Sequence, residues 1–432
     1  MPKICKYISR AHAFECIRDS SIHPSIHQSM SNSSMFPSND PPDTSVSVEE
    51  SSPLYHPPIF DVFTDFQRYK NGGLEFIRHD TMSNQRAIIW AFMKKVGKSV
   101  FSGSLLRISM PVGLCEKRSF LQRIPDQWAY LPQYLDRARM SSNDPIERFK
   151  QVISFAMSGI HLTVQMEKPF NPILGETFQG IFSDGSEVCL EQISHHPPIS
   201  AWLIEGPGDS FRLSGRGESK AKFSTNSMTV GMTGINELSF DDGTLIKWRF
   251  PVMRISGVIM GTRVVEHIGR WIFQDFTNDL ICSIEFVDNS GMMNFFRSSS
   301  GKRSDEFEGF IARHRNVEFL QGDDEIKDLG EKICTVEGSW IDSISFGDVK
   351  YWDREKMDTP EVPRPPRTLL PSDSRLRTDC IAVARNDMKK AATEKNHLEE
   401  IQRHDRKLRE KHSKGPRIPL KCSSSAHSED CF

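Results

Sequence analysis

The 432-residue chain has no long hydrophobic run and almost no net charge. Since no stretch of about 18 apolar residues occurs, we expect no membrane-spanning helix. The 55 lysines and arginines nearly balance the 57 aspartates and glutamates, which leaves a formal net charge of −2. That balance argues against a general basic surface for nucleic acid, so no nucleic-acid partner is expected. The composition predicts a soluble protein of the cytosol.

Cysteine is sparse, and the usual metal-binding and hydrolase motifs are missing. The nine cysteines are scattered without a CxxC pair, which fits reduced thiols better than disulfides or a zinc site. Neither HExxH nor GxSxG occurs, so neither a zinc peptidase nor a serine hydrolase is indicated. We therefore predict no metal ion, no cofactor and no catalytic residue.

Two helices are predicted in the first third of the chain. In "AIIWAFMKKV", apolar residues recur at i, i+3, i+4 and i+7, namely Ile89, Phe92, Met93 and Val96. With the basic residues Lys94, Lys95 and Lys98 nearby, this helix either packs on a core or forms a lid that touches a membrane. In "NDPIERFKQVISFAMSGI", Asp144 is placed to cap a helix that begins at Pro145. Its apolar stripe consists of Phe149, Val152, Ile153, Ala156 and Met157.

Between residues 175 and 352 the pattern changes to short segments bounded by turn signals. Segments such as "EVCLEQI", "TLIKWRF" and "LICSIEF" are typical of strands, and "SDGS", "DDGT" and "DNSG" are typical of hairpin connections. So many short antiparallel strands predict a sandwich or a barrel, and a large barrel encloses a cavity.

The stretch "EQISHHPPISAW", residues 191 to 202, places His195 beside His196 and before two prolines. On a strand the two side chains would point to opposite faces, and the prolines would stop the strand from continuing. Two interpretations stay open: the imidazoles are satisfied by backbone groups near a kink, or they donate to an anion such as a phosphate. A metal site or a catalytic role would need partners that the neighbouring sequence does not offer.

Two further segments carry charged groups in suggestive positions. In "EKPFNPILGETF", Lys168 and Asn171 lie either on an entry loop or on a rigid turn that projects two donors. A long charged helix near the C-terminus has only a narrow apolar seam at Leu398, Ile401 and Leu408. It places Lys395, Glu399 and Arg403 on one face at i, i+4 and i+8. Taken alone, that spacing indicates a solvated row of ion pairs.

Together these motifs resemble one known family. "EQISHHPP" closely resembles the signature of the oxysterol-binding protein family, "KPFNPILGETF" its second motif, and "LPSDSRLRTD" with "KNHLEEIQR" its C-terminal section. The resemblance covers about residues 85 to 410. It implies a mainly β fold with flanking helices: a large, near-closed antiparallel β-barrel around a hydrophobic lipid tunnel, with an N-terminal lid.

The resemblance also sets the expected domain boundaries. We expect a poorly ordered tail over residues 1–84, which includes a Ser- and Pro-rich stretch, and a second disordered tail over residues 416–432. Between them we expect one lipid-binding domain over residues 85–415. Its parts would be a lid (85–112), helices (113–165), the barrel (166–352) and a C-terminal helical section (353–415).

The family's contacts to a phosphoinositide headgroup map onto seven residues of this sequence. They are Lys168, Asn171, His195, His196, Lys395, Glu399 and Arg403. Ammonium, guanidinium and imidazole groups supply the donors that a 4-phosphate requires, and a carboxylate can accept from inositol hydroxyls.

The resemblance implies a lipid-binding and intermembrane lipid-transfer protein and not an enzyme. It would be a short family member with only the ligand-binding domain. We expect it to carry a sterol or phosphatidylserine in exchange for phosphatidylinositol 4-phosphate, as a cytosolic monomer with transient peripheral contact to organelle membranes at contact sites. A sensor or scaffold that binds lipid without transporting it stays open as an alternative. A lipid hydrolase with His195 or His196 as base is disfavoured because no nucleophile motif is present.

Overall fold

The computed structural model of the chain describes residues 62–96, 109–288, 301–356 and 359–413. Its helices are α1 (His79–Val96), α2 (Phe120–Arg123), α3 (Leu131–Met140), α4 (Pro145–Ser158), α5 (Thr378–Ala384) and α6 (Met388–Ser413). Its strands are β1 (Phe66–Arg68), β2 (Leu74–Phe76), β3 (Cys115–Ser119), β4 (Lys168–Phe170), β5 (Thr177–Ile181), β6 (Glu187–His195), β7 (Pro198–Glu205), β8 (Phe211–Phe223), β9 (Ser227–Met232), β10 (Ile235–Phe240), β11 (Leu245–Arg249), β12 (Val252–Ser256), β13 (Val264–Ile268), β14 (Arg270–Asp275), β15 (Leu280–Phe286), β16 (Glu306–Arg313), β17 (Lys332–Ser339), β18 (Ser343–Phe346) and β19 (Val349–Asp353).

Seventeen of these strands form one antiparallel sheet with two arms. The main arm runs β5–β6–β7–β8–β10–β11–β14–β15–β16–β17–β18–β19. The far half of the long strand β8 starts the second arm, β9–β12–β13–β2–β1. At its end, Arg68 on β1 lies 3.3 Å from the buried Asp305 beside β16, so the second arm returns to the main arm. The strands thus surround an interior, and the predicted mainly β fold with flanking helices is confirmed.

The second arm corrects the predicted extent of the N-terminal tail. Residues 62–84 were expected to be poorly ordered, but β2 pairs with β13 and Leu74 is fully buried. The rings of Phe66 and Phe76 pack edge to face with their centroids 5.5 Å apart. Sequence periodicity misses these strands because three residues are too few to show a period of two. Residues 1–61 and 414–432 lie outside the described ranges.

The predicted capped helix is confirmed in detail. Asp144 accepts hydrogen bonds from the backbone nitrogens of Ile146 and Glu147, and α4 begins at Pro145. The predicted stripe is buried in the core along its whole length. The region 113–165 is not purely helical, however, since β3 pairs in parallel with β4. "SDGS" and "DDGT" do connect hairpins, with Gly185 and Gly243 at positive φ, while "DNSG" lies mostly outside the described residues.

Candidate functional site

A cavity of about 390 Å³ lies between α1, residues 110–127 and the second arm of the sheet. We call it the tunnel. Its apolar lining includes Ile89, Phe92, Leu114, Phe120, Ile124, Phe223, Val230, Phe250, Ile255 and Val258. Five methionines also line it, namely Met110, Met166, Met228, Met232 and Met253. Because thioether side chains are flexible and polarisable, such a lining can adapt to apolar ligands of different shape.

Helix α1 lines one side of the tunnel. Ile89 and Phe92 face the cavity, whereas Trp90 is 48% exposed on the outer side. Lys98 lies outside the described residues, and so do the side chains of Met93, Lys95 and Val96. The helix is held by polar contacts to the β12–β13 connection. Arg263 Nη1 donates to Gln85 Oε1 at 2.8 Å, and Arg86 Nη2 donates to the Gly257 carbonyl at 3.0 Å.

A second, polar cavity of about 200 Å³ adjoins the tunnel, and we call it the polar pocket. Four of the described residues line both cavities: Met110, Lys168, Asn171 and His195. All the residues that the sequence predicted for a headgroup site line the polar pocket: Lys168, Asn171, His195, His196, Lys395, Glu399 and Arg403. The fold therefore brings together side chains from three distant parts of the chain.

The two histidines lie at a hairpin and not along a strand. Strand β6 ends at His195 and β7 begins at Pro198, so His196 and Pro197 form the turn, joined by a cis peptide bond. The expectation that the two rings point to opposite faces is wrong because the strand ends between them. Their ring centroids lie 4.4 Å apart, and both rings border the polar pocket.

His195 is a neutral group in this setting. Burial, together with repulsion from His196, lowers the pKa of His195 to about 4. A hydrogen bond with the Pro172 backbone opposes part of this shift, so the ring is held against the loop that carries Asn171.

Lys168 is placed by the short parallel pairing of β3 with β4. Its ammonium group donates to Asn171 Oδ1 and, at 3.3 Å, to the Pro169 carbonyl. Burial, with repulsion from Lys395 and Arg377, lowers the pKa of Lys168 to about 8. At neutral pH Lys168 is therefore mostly protonated, and its hydrogen bonds to two uncharged oxygens do not cancel its positive charge.

The charged face of α6 forms the opposite wall of the pocket. Lys395 forms an ion pair with Glu399, and Arg403 Nη1 lies 3.9 Å from Glu399 Oε2. The predicted row of ion pairs exists, yet it lines a cavity together with Leu398. Ile401 and Leu408, the other members of the apolar seam, are exposed.

Sequence analysis missed the buried charges behind the pocket. Arg377 pairs with Glu176 and with Asp379, each at 2.7 Å, and donates to the Asn171 carbonyl at 2.8 Å. It thereby fixes the loop that carries Asn171. Burial raises the pKa of Glu176, and the neighbouring Arg377 opposes this effect. Glu176 lies in the motif segment "GETF" and Arg377 in "RLRTD", and this position within the family motifs was the sequence feature that could have indicated them.

Comparison with known proteins identifies the family. The sequence profile of the oxysterol-binding protein family matches residues 88–419, and the chain belongs to this family. It is 36% identical to oxysterol-binding protein 9 of Dictyostelium discoideum over 80% of this chain and 81% of that protein. It is 28% identical to oxysterol-binding protein-related protein 1D of Arabidopsis thaliana over 75% of this chain, which spans only 40% of that longer relative.

Solved structures confirm the fold. The Osh1 ORD domain in complex with ergosterol aligns with a TM-score of 0.60 at 24% identity, covering 76% of this chain and 81% of that domain. The Osh3 ORD of Saccharomyces cerevisiae in complex with PI(4)P aligns with a TM-score of 0.58 at 26% identity, covering 74% and 84%. Within the described ranges, no helix has the length and apolar character needed to cross a bilayer.

Proposed function

We propose that this protein binds one lipid at a time in the tunnel and transfers it between membranes. It takes phosphatidylinositol 4-phosphate by its headgroup in the polar pocket and exchanges it for a sterol or phosphatidylserine. One observation carries this proposal: an apolar cavity adjoins a pocket in which Lys168, Lys395 and Arg403 converge with two imidazoles.

The polar pocket suits a phosphorylated inositol. A phosphate monoester needs several charge-assisted donors, which the ammonium groups of Lys168 and Lys395 and the guanidinium of Arg403 supply. His195 contributes a neutral ring, because its pKa lies far below 7. Glu399 would accept from ring hydroxyls while it orients Lys395.

The tunnel suits the apolar part of a lipid. Each buried methylene contributes about 0.8 kcal/mol, so a covered tunnel can compete with a bilayer for acyl chains or a sterol. Because Lys168, Asn171 and His195 line both cavities, a lipid whose headgroup fills the pocket also blocks the tunnel. Two different lipids would then exclude each other, which is the requirement for exchange.

A lipid hydrolase fits this pocket poorly. Among the described lining residues, the candidate nucleophiles beside the histidines are Ser109 and Cys115. Ser109 is bonded to Lys395 and Glu399, and burial raises the pKa of the Cys115 thiol, which disfavours the reactive thiolate. The competing proposal is therefore a sensor that binds lipid without releasing it to a second membrane.

Mass spectrometry of the lipids that copurify with the protein, followed by a donor-to-acceptor liposome assay, tests the proposal. We expect transfer of phosphatidylinositol 4-phosphate and of a sterol or phosphatidylserine. The double variant His195→Ala/His196→Ala should stay folded, and its extraction of phosphatidylinositol 4-phosphate should be at least about tenfold lower. Binding without transfer would favour a sensor, and release of a soluble inositol phosphate would favour a hydrolase. Unchanged extraction by the folded double variant would remove the headgroup assignment.

A further inference from the structure

Ser109 places a hydroxyl group between two of the residues assigned to headgroup binding. Its Oγ atom accepts a hydrogen bond from Lys395 Nζ at 2.6 Å and donates one to Glu399 Oε1 at 2.7 Å. Ser109 also lines the polar pocket and remains exposed. One small hydroxyl thus satisfies an ammonium and a carboxylate at once.

A ring hydroxyl of an inositol has the chemistry to form the same two hydrogen bonds. A hydroxyl both accepts and donates, so it can bridge a cation and an anion that lie side by side. Hydrogen bonds to charged groups are stronger than neutral ones, and their loss without replacement is costly. Because the Lys395 side chain is only 13% exposed, few directions are left from which a second hydroxyl could approach its ammonium.

The segment that carries Ser109 also connects the pocket to α1. Residues 109–114 leave Ser109 at α6 and reach Gly113, where the side chain of Ile88 on α1 packs so closely that a Cβ atom would lie 3.0 Å from Ile88 Cδ1. Within this segment, the Leu114 amide donates to the Pro111 carbonyl at 3.0 Å. A displacement of Ser109 would therefore act on a segment that touches the helix over the tunnel.

We propose that the Ser109 hydroxyl occupies the place of a headgroup hydroxyl and is displaced when the headgroup binds, which makes Ser109 an intramolecular competitor that sets headgroup affinity. This inference rests on the proposed function, since it needs a phosphoinositide in the polar pocket. Displacement is feasible because Ser109 is exposed and its hydroxyl can move into water. Lys395 and Glu399 then exchange one hydroxyl for another.

The competition predicts an increase in affinity when the hydroxyl is removed. We would titrate the full chain with soluble glycerophosphoinositol 4-phosphate by calorimetry, which probes the pocket without the tunnel. Ser109→Ala should bind it at least about tenfold more tightly than the unmodified protein, because the two hydrogen bonds that Ser109 makes to Lys395 and Glu399 no longer have to be broken. Ser109→Thr keeps the hydroxyl and should stay within about threefold of the unmodified protein.

The outcomes separate the two proposals. If the unmodified protein binds neither the soluble headgroup nor vesicles with phosphatidylinositol 4-phosphate, the proposed function fails and this inference fails with it. If the unmodified protein binds but Ser109→Ala binds equally or more weakly, Ser109 is a supporting contact and only the competition is wrong.

Hydrogen exchange gives an answer that needs no variant. Displacement predicts faster exchange of the amides in residues 109–115 of the unmodified protein after the soluble headgroup is added. Slower exchange there would overturn the competition, since it would mean that Ser109 stays in place over the bound headgroup.

Discussion

At the scale of single residues, the cations of the polar pocket differ in whether a carboxylate pairs with them. Arg377 is committed to Glu176 and Asp379, and Lys395 to Glu399. Among the described residues, the hydrogen-bond acceptors of Lys168 are neutral oxygens, and its lowered pKa reflects burial beside other cations. We therefore expect the affinity for an anion to depend more on the protonation of Lys168 than on that of the paired residues.

This difference predicts a pH dependence of headgroup binding. Lys168 loses its proton as the pH rises through about 8, so affinity should fall by up to tenfold per pH unit above that value. Below about pH 6 the phosphate monoester itself gains a proton, and binding should weaken again. Titration of the soluble headgroup between about pH 5 and about pH 10 measures both limbs of this profile.

Lys168→Arg is the matched control for that experiment. An arginine keeps its charge throughout this range, so the alkaline limb should disappear even if the changed geometry lowers the absolute affinity. A flat profile above pH 8 in the unmodified protein would contradict the role given to Lys168.

The buried charges behind the pocket predict a loss of stability. Arg377→Leu leaves two carboxylates, those of Glu176 and Asp379, without their cation, and should lower the free energy of unfolding by about 3–5 kcal/mol. Arg403→Leu on the same pocket is the control: its side chain is 57% exposed and should change stability by about 1 kcal/mol or less. Equal denaturation midpoints for the two variants would show that Arg377 does not hold the loop.

At the scale of elements, the sequence predicted the long, regular features and missed the short ones. The cap at Asp144 and the strand-rich middle follow from local patterns that the structure repeats. The three-residue strands β2 and β4 depend on distant partners, and no local period reveals them. The convergence of Lys168, His195 and Lys395 likewise follows from topology, so only the resemblance to a family could predict it.

The ordered strands before α1 predict where the chain can be shortened. Because the composition of residues 1–61 predicts a poorly ordered tail, we expect their deletion to leave the free energy of unfolding unchanged. Deletion of residues 1–78 also removes four buried side chains from the core, those of Val62, Phe66, Leu74 and Phe76, and should cost about 6–12 kcal/mol, at about 1.5–3 kcal/mol for each. Denaturant unfolding of both truncations measures the difference, and equal midpoints would mean that the second arm of the sheet does not need β1 and β2.

At the scale of the whole molecule, a lipid carrier has to keep its cargo dry and still release it. Among the described residues, polar contacts from Gln85 and Arg86 to the β12–β13 connection help to hold α1 beside the tunnel. Arg263 is central to these contacts, since it bonds to both Gln85 Oε1 and the Val258 carbonyl. Burial, with repulsion from Arg86, lowers the pKa of Arg263 to about 10, so it stays charged at neutral pH.

The contact between Gln85 and Arg263 therefore predicts how long a lipid is retained. Gln85→Leu removes the acceptor from a buried guanidinium and weakens the hold on α1, so a bound fluorescent sterol should dissociate in solution about tenfold faster or more. Trp90→Ala is the matched control on the same helix, because its exposed side chain faces away from the tunnel and should not affect retention in solution. Stopped-flow measurement of sterol release without membranes separates retention from membrane contact. Equal release rates for Gln85→Leu and the unmodified protein would mean that this contact does not keep α1 over the tunnel.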